Sequence, residues 1–209
     1  LGAGREVGTA WAALAELAGD ERGPVRVGTV DALAALAARP RGASALVEHA
    51  LGWLDLDDRE VRFGAAGVVL EVLARRQVLA ALSRPDALFD YLTRAMAAVV
   101  DAPRSAERSD GRRRLLFALP PALGAAVTAF AAGDRGPAWL EAECRAARHP
   151  DLRAALSTTV VAIGDKASGL GAMLADRLRT ALEGSAKPPR DPTRRRPGAG
   201  RGKSSRPVR

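Results

Sequence analysis

Residues 57–73, with the sequence DDREVRFGAAGVVLEVL, decide the fold of this chain. Asp57 or Asp58 can cap a helix here, and Glu60, three residues after Asp57, can complete a capping box. The residues that follow recur at helical spacing and form one apolar face, consisting of Val61, Ala65, Val68, Val69 and Val72. The stretch therefore predicts a helix with one buried face, which continues to about residues 79–82.

The composition of the whole chain also favours helices. Of its 209 residues, 47% are apolar and only 4% are aromatic, and the apolar part is mostly Ala, Leu and Val. Ala and Leu are strong helix formers. The alternating runs of β-branched and aromatic residues that are typical of strands are nearly absent. The chain is therefore predicted to be all-α.

Weaker copies of the same pattern occur on both sides of residues 57–73. Arg26, Arg62 and Arg153 each follow an aliphatic residue near the start of a predicted helix, and the first two are 36 residues apart. This period is within the range of helical-pair repeats. Between Arg62 and Arg153, residues 101–114 are expected to form a long surface loop. Pro120-Pro121 is expected to kink or interrupt a helix over about residues 115–132.

The pattern of an acidic residue, two variable residues, Val-Arg and then small and aliphatic residues resembles the second helix of HEAT-type repeats, across roughly residues 5–184. The resemblance implies that residues 1–184 form a short α-solenoid of about four antiparallel helix pairs, whose second helices line a concave face. Such repeats are recognised by apolar spacing, so the resemblance implies a fold and not a function. Because the chain begins at Leu1 rather than Met, we leave open whether a further repeat precedes it.

Residues 185–209 differ from the rest of the chain because they are rich in Arg, Pro and Gly. From residue 187 onwards there are nine basic residues and one acidic residue, whereas residues 1–186 contain 23 of each. This basic tail has no apolar periodicity and is predicted to be disordered. Two functions are possible for this tail: it contacts nucleic acid or another polyanion, or it only makes the chain more soluble. The candidate contact residues are Arg190, Arg194, Arg195, Arg196, Arg201, Lys203, Arg206 and Arg209.

Arg26, Arg62 and Arg153 share one repeat position, which allows two interpretations. They can form a row of cations that face phosphate groups along the concave face. Alternatively, each arginine has a structural role, in which it pairs with a nearby acid and joins adjacent repeats. We prefer the structural interpretation. The candidate acids are Asp31, Asp58 and Asp151.

The sequence predicts no catalytic residue, no metal and no cofactor. A single cysteine, Cys144, excludes an intramolecular disulfide and fits a reducing cytoplasm. His49 and His149 lack a recognisable set of acid–base or metal-binding partners. No run of 18 apolar residues and no secretory leader occurs, which predicts a cytoplasmic protein without a membrane span. The tryptophans lie at the spacing of core residues: Trp11, Trp53 and Trp139.

Together, the repeat pattern and the basic tail predict a non-enzymatic scaffold or adaptor that binds a protein partner, while the tail contacts DNA, RNA or another polyanion. Two alternatives remain. A HEAT-like DNA-repair protein of the alkylbase-glycosylase type needs an acid and aromatic residues in a basic groove, and the neutral body offers no set that the sequence alone can place there. An accessory subunit of another enzyme is expected to co-purify with one stoichiometric partner.

Overall fold

A computed structural model describes residues 2–82, 85–165 and 169–185. The described residues form ten α-helices and contain no strand, which confirms the all-α prediction. Ser185, the first residue of the predicted tail, is buried against the end of α10, whereas residues 186–209, with all the candidate contact residues, lie outside the described ranges. The helices are α1 Gly2–Gly19, α2 Gly23–Ala37, α3 Gly42–Trp53, α4 Arg59–Leu73, α5 Arg76–Ala80, α6 Pro85–Val100, α7 Asp110–Ala129, α8 Arg135–Ala146, α9 Pro150–Gly164 and α10 Gly169–Gly184.

The helix predicted from residues 57–73 is α4, and its cap is Asp58 rather than Asp57. Oδ1 of Asp58 accepts hydrogen bonds from the backbone N–H groups of Glu60 at 2.9 Å and Val61 at 3.2 Å. The predicted capping box is wrong, because Asp58 as the cap puts Glu60 at the second helical position. The Glu60 carboxylate instead accepts a hydrogen bond from the N–H of Gly111 at 3.0 Å. It therefore joins the start of α4 to α7.

α4 is buried on nearly all sides. From Phe63 to Leu73, every residue except Glu71 is buried, so the single apolar face that the sequence predicted is too narrow. The helix also ends earlier than predicted. Its C-cap is Ala74, and Arg75 has an extended conformation that separates α4 from the short helix α5.

Glycines on α4 allow its neighbours to come close. A Cβ atom added to Gly64 would lie 2.9 Å from Cα of Gly19 in α1, and one added to Gly19 would lie 2.6 Å from Cα of Val61. On the α7 side, a Cβ added to Gly67 would lie 3.4 Å from the backbone of Leu115. Gly64 therefore sets the close approach of α1 to α4, whereas a methyl group at Gly67 would make only ordinary van der Waals contact with α7.

α7 begins earlier than predicted and is not interrupted by proline. Ser109 caps it, and its hydroxyl accepts a hydrogen bond from the N–H of Arg112 at 3.1 Å, so the predicted loop over residues 101–114 is too long. The helix continues through Pro120 and Pro121. Proline removes a helical hydrogen bond, but one side of α7 is a buried aliphatic stripe that favours the continuous helix. The stripe consists of Leu115, Leu119, Leu123 and Val127.

The contacts between helices form two series. In the first series, α4 packs most extensively on α7, α7 packs on α9, and α9 packs on α10. The second series begins with the contact of α3 with α6. Thr93 of α6 continues the second series toward α8, because it donates a hydrogen bond to Glu143 at 2.8 Å and accepts one from Nε1 of Trp139 at 3.1 Å. Among the described helices, none is both long and apolar enough to cross a membrane.

Candidate functional site

A groove of about 730 Å³ lies between α1, α3 and the start of α4. Three aromatic side chains dominate it. The rings of Trp11 and His49 stack with their centroids 4.4 Å apart and their planes inclined by 19°. The ring of Trp53 is tilted against Trp11 at a centroid distance of 6.2 Å. Trp11 comes from α1, whereas His49 and Trp53 lie four residues apart and share one face of α3.

The charged residues that line this groove are all acidic. Among the described residues of the lining these are Glu16, Asp57 and Asp58, and none of those residues is a lysine or arginine. The remaining lining residues are small or aliphatic: Ala12, Ala15, Gly52, Leu56 and Val61. Carboxylates beside the faces of aromatic rings attract cations, because both present negative potential. We call this site the acidic aromatic groove.

The tryptophans do not all have the core role that their spacing predicted. Trp53 is 6% exposed and belongs to the core, whereas Trp11 and Trp139 are half-buried and pack against its edge. Trp139 lies beside Phe89, with a centroid distance of 4.9 Å. Trp11 differs because it lines the groove. The spacing of His49 and Trp53 on one helix face was the available sequence signal, but the contribution of α1 required the tertiary fold.

Two of the three repeat arginines bind backbone carbonyl groups at helix ends. Arg26 donates from Nη1 to the carbonyl of Asp20 at 2.8 Å and also to that of Glu21, just after α1. Arg153 donates from Nη1 to the carbonyl of Leu182 at 2.8 Å, near the end of α10, and to the hydroxyl of Ser185. Each therefore places a cation at the negative end of a helix dipole.

Arg62 has a different environment. Its guanidinium lies over the ring of Phe63, 5.8 Å from the centroid, and its Nε is buried without a hydrogen-bond partner. The carboxylate partners that the sequence predicted for the three arginines are wrong, because each acid has another partner. Asp31 pairs with Arg75 at 2.8 Å, Asp58 caps α4, and Asp151 pairs with Arg112 at 2.8 Å.

Cys144 and His149 have structural positions. Cys144 is buried, and burial, followed by the charges of Glu143 and Glu141, raises the pKa of its thiol to about 11. The thiol is therefore protonated at neutral pH, a state unsuited to nucleophilic attack. His149 is the N-cap of α9, where Nδ1 accepts from the N–H of Asp151 at 3.3 Å. Within the described ranges, no group of three His, Cys, Asp or Glu side chains could hold a metal ion.

No protein-family model, no curated protein and no solved structure matches the chain. The likeness to HEAT-type repeats therefore remains a resemblance of the sequence pattern.

Proposed function

We propose that the chain is a non-enzymatic helical-repeat adaptor. The acidic aromatic groove holds a positively charged segment of a protein partner, and the basic tail contacts nucleic acid or another polyanion. The observation that carries the proposal is the groove itself, whose described lining residues combine two tryptophans and a histidine with three carboxylates and include no basic side chain.

The helix contacts support a short α-solenoid as the scaffold. The pairs α3–α4 and α6–α7 would be successive repeats, and α9 would continue the row of second helices formed by α4 and α7. The packing of α4 on α7 and of α7 on α9 agrees with this arrangement, as does the contact of α3 with α6. In this arrangement the groove lies at the N-terminal end of the stack, beside α1.

A polypeptide is the ligand that suits the groove best. Tryptophan is enriched among the residues that dominate protein interfaces, and the volume of about 730 Å³ is large enough for several side chains of a partner. A lysine or arginine of that partner would meet the carboxylates of Glu16 and Asp57 as well as the indole of Trp11. A phosphate backbone would be repelled there, which disfavours a glycosylase site in this groove.

Peptide display tests the groove without knowledge of the natural partner. A library of random peptides is selected on the immobilised full chain, and the affinities of enriched peptides are measured by calorimetry. We expect enriched peptides to combine a lysine or arginine with an adjacent apolar residue. Trp11→Ala should weaken their binding by at least about tenfold, since it removes the aromatic face that the cation and its neighbour contact.

Phe117→Ala is the matched control for this experiment. Phe117 is an aromatic residue of α7, 83% exposed, and it is not part of the groove lining. Peptide affinity should be the same in this variant as in the unchanged chain. Enriched peptides without basic residues, or equal losses in Trp11→Ala and Phe117→Ala, would rule out the groove as the partner site.

A separate prediction concerns the binding of polyanions by the basic tail. Labelled duplex DNA and single-stranded RNA are titrated with the full chain across a salt series. If the tail engages about five phosphates of a duplex, the logarithm of the affinity should fall with the logarithm of the salt concentration at a slope of roughly −4.5. Replacing Arg194, Arg195 and Arg196 by Gln in the full chain should flatten the slope by about 2.7. An unchanged slope would place the polyanion contact elsewhere.

A further inference from the structure

A second cleft, of about 310 Å³, is lined in part by Leu54 and Asp55, which belong to the same α3–α4 connection that lines the acidic aromatic groove. Its charged lining comes from three places: Asp55 after α3, Arg59 and Arg62 in the first turn of α4, and Arg94 within α6 with Asp101 just after that helix. We call it the arginine cleft. The same short connection therefore contributes to an acidic groove and to a cleft in which guanidinium groups outnumber carboxylates.

Only one of the three arginines in this cleft is paired. Arg94 forms a salt bridge with Asp55, with Nη2 and Oδ1 2.6 Å apart. Arg59 and Arg62 form no salt bridge with any other described residue. Arg62 is held in place nonetheless, because its Nε is buried and its guanidinium lies over the ring of Phe63. The cleft thus presents two unpaired cations, one of them with a largely fixed position.

We propose that the arginine cleft binds the phosphate group of a small phosphorylated molecule. Two unpaired guanidinium groups match the charge of a phosphate dianion, and their planar N–H groups bind its oxygens in pairs. Asp101 also lines the cleft, but with Asp55 engaged by Arg94 the balance of free charge stays positive. The volume is at the small end of the range for small-molecule pockets.

The rest of the cleft indicates where the organic part of the ligand lies. Its uncharged walls are apolar and consist of Leu54, Phe63, Ala97, Ala98, Ala102 and Pro103. Such walls lower the local dielectric constant and so strengthen the ion pairs between phosphate and guanidinium. Ala97, Ala98, Ala102 and Pro103, which are not fully buried, also offer contact area to a hydrocarbon or aromatic substituent. A phosphate ester with an apolar group therefore fits the cleft better than free phosphate does.

Calorimetric titration of the full chain with inorganic phosphate and with phenyl phosphate tests this inference. We expect saturable binding of phenyl phosphate, and weaker binding of inorganic phosphate. Equal affinities would identify free phosphate as the ligand and would still support the site. Arg62→Gln removes a charge-assisted contact and should lower the affinity for phenyl phosphate by about tenfold or more.

Arg113→Gln provides a control of equal charge change. Arg113 is exposed on α7, pairs with Asp110 and lies outside the cleft, so the affinity should stay within about twofold of the unchanged chain. Equal losses in the two variants would show that phosphate binds through overall charge or the tail, and would overturn the proposal. So would the absence of saturable binding below about 10 mM. If Arg62→Gln does not fold, Arg59→Gln replaces it, with the same expected loss of affinity.

Discussion

Replacing Gly64 by alanine is expected to lower the free energy of unfolding by about 2 kcal/mol. The added methyl group would lie 2.9 Å from Cα of Gly19, a distance at which two helix backbones must move apart. Because the atom it meets belongs to the backbone, no side-chain rotation can relieve the contact. Urea denaturation followed by far-UV circular dichroism measures the change.

Gly124→Ala is the control, because Gly124 is also a buried helical glycine. A Cβ added there meets no atom within 4 Å, so the substitution adds only helix propensity and a filled space. It should raise the free energy of unfolding by about 0.5–1 kcal/mol. If Gly64→Ala stabilised the protein like Gly124→Ala, the close approach of α1 and α4 would be wrong.

This glycine contact illustrates what the sequence could predict of the fold. Helical periodicity located α4 and the all-α class, because side chains on one face of a helix recur at a spacing that any reader of the sequence can see. It did not show that α4 is enclosed on nearly all sides. Gly64 has no side chain, so a search for apolar stripes passes over it, although the backbone of α1 approaches the helix there.

The start and length of α7 could not be predicted from local sequence signals. Pro120-Pro121 and the charged residues before Leu115 argued locally for a broken helix after a long loop. The Ser109 cap and the burial of one whole side of the helix favour a continuous one. Local propensity is overridden where tertiary packing supplies more free energy than a missing hydrogen bond costs.

The candidate sites could be predicted only in part. His49 and Trp53 lie on one face of α3 by their spacing alone, and the position of Arg62 at the start of α4 was visible in the repeat pattern. The partners that complete each site come from other helices, namely Trp11 from α1 and Arg94 from α6. No periodicity within one helix indicates which residues of another helix will face it, so both clefts required the tertiary structure.

The second large effect is expected at the ion pair between Arg112 and Asp151. The side chain of Arg112 is 3% exposed, and its Nη2 lies 2.8 Å from Oδ2 of Asp151. Its Nε is buried without a partner, so Asp151 is the chief source of compensation for this charge. Asp151→Asn keeps the shape and removes the negative charge. We expect the free energy of unfolding to fall by about 2–3 kcal/mol, less than for a fully buried pair because Asp151 is itself 42% exposed.

Two further variants separate this explanation from a general effect of lost charge. Asp110→Asn removes a carboxylate from the first turn of α7, where Asp110 and its partner Arg113 are both exposed, and should cost less than about 1 kcal/mol. Arg112→Met removes the buried cation, so adding Asp151→Asn to it should cost far less than Asp151→Asn alone. If instead the loss from Asp151→Asn were the same with and without Arg112, or matched that of Asp110→Asn, the destabilisation would come from the start of α9. The buried cation would then not need its carboxylate.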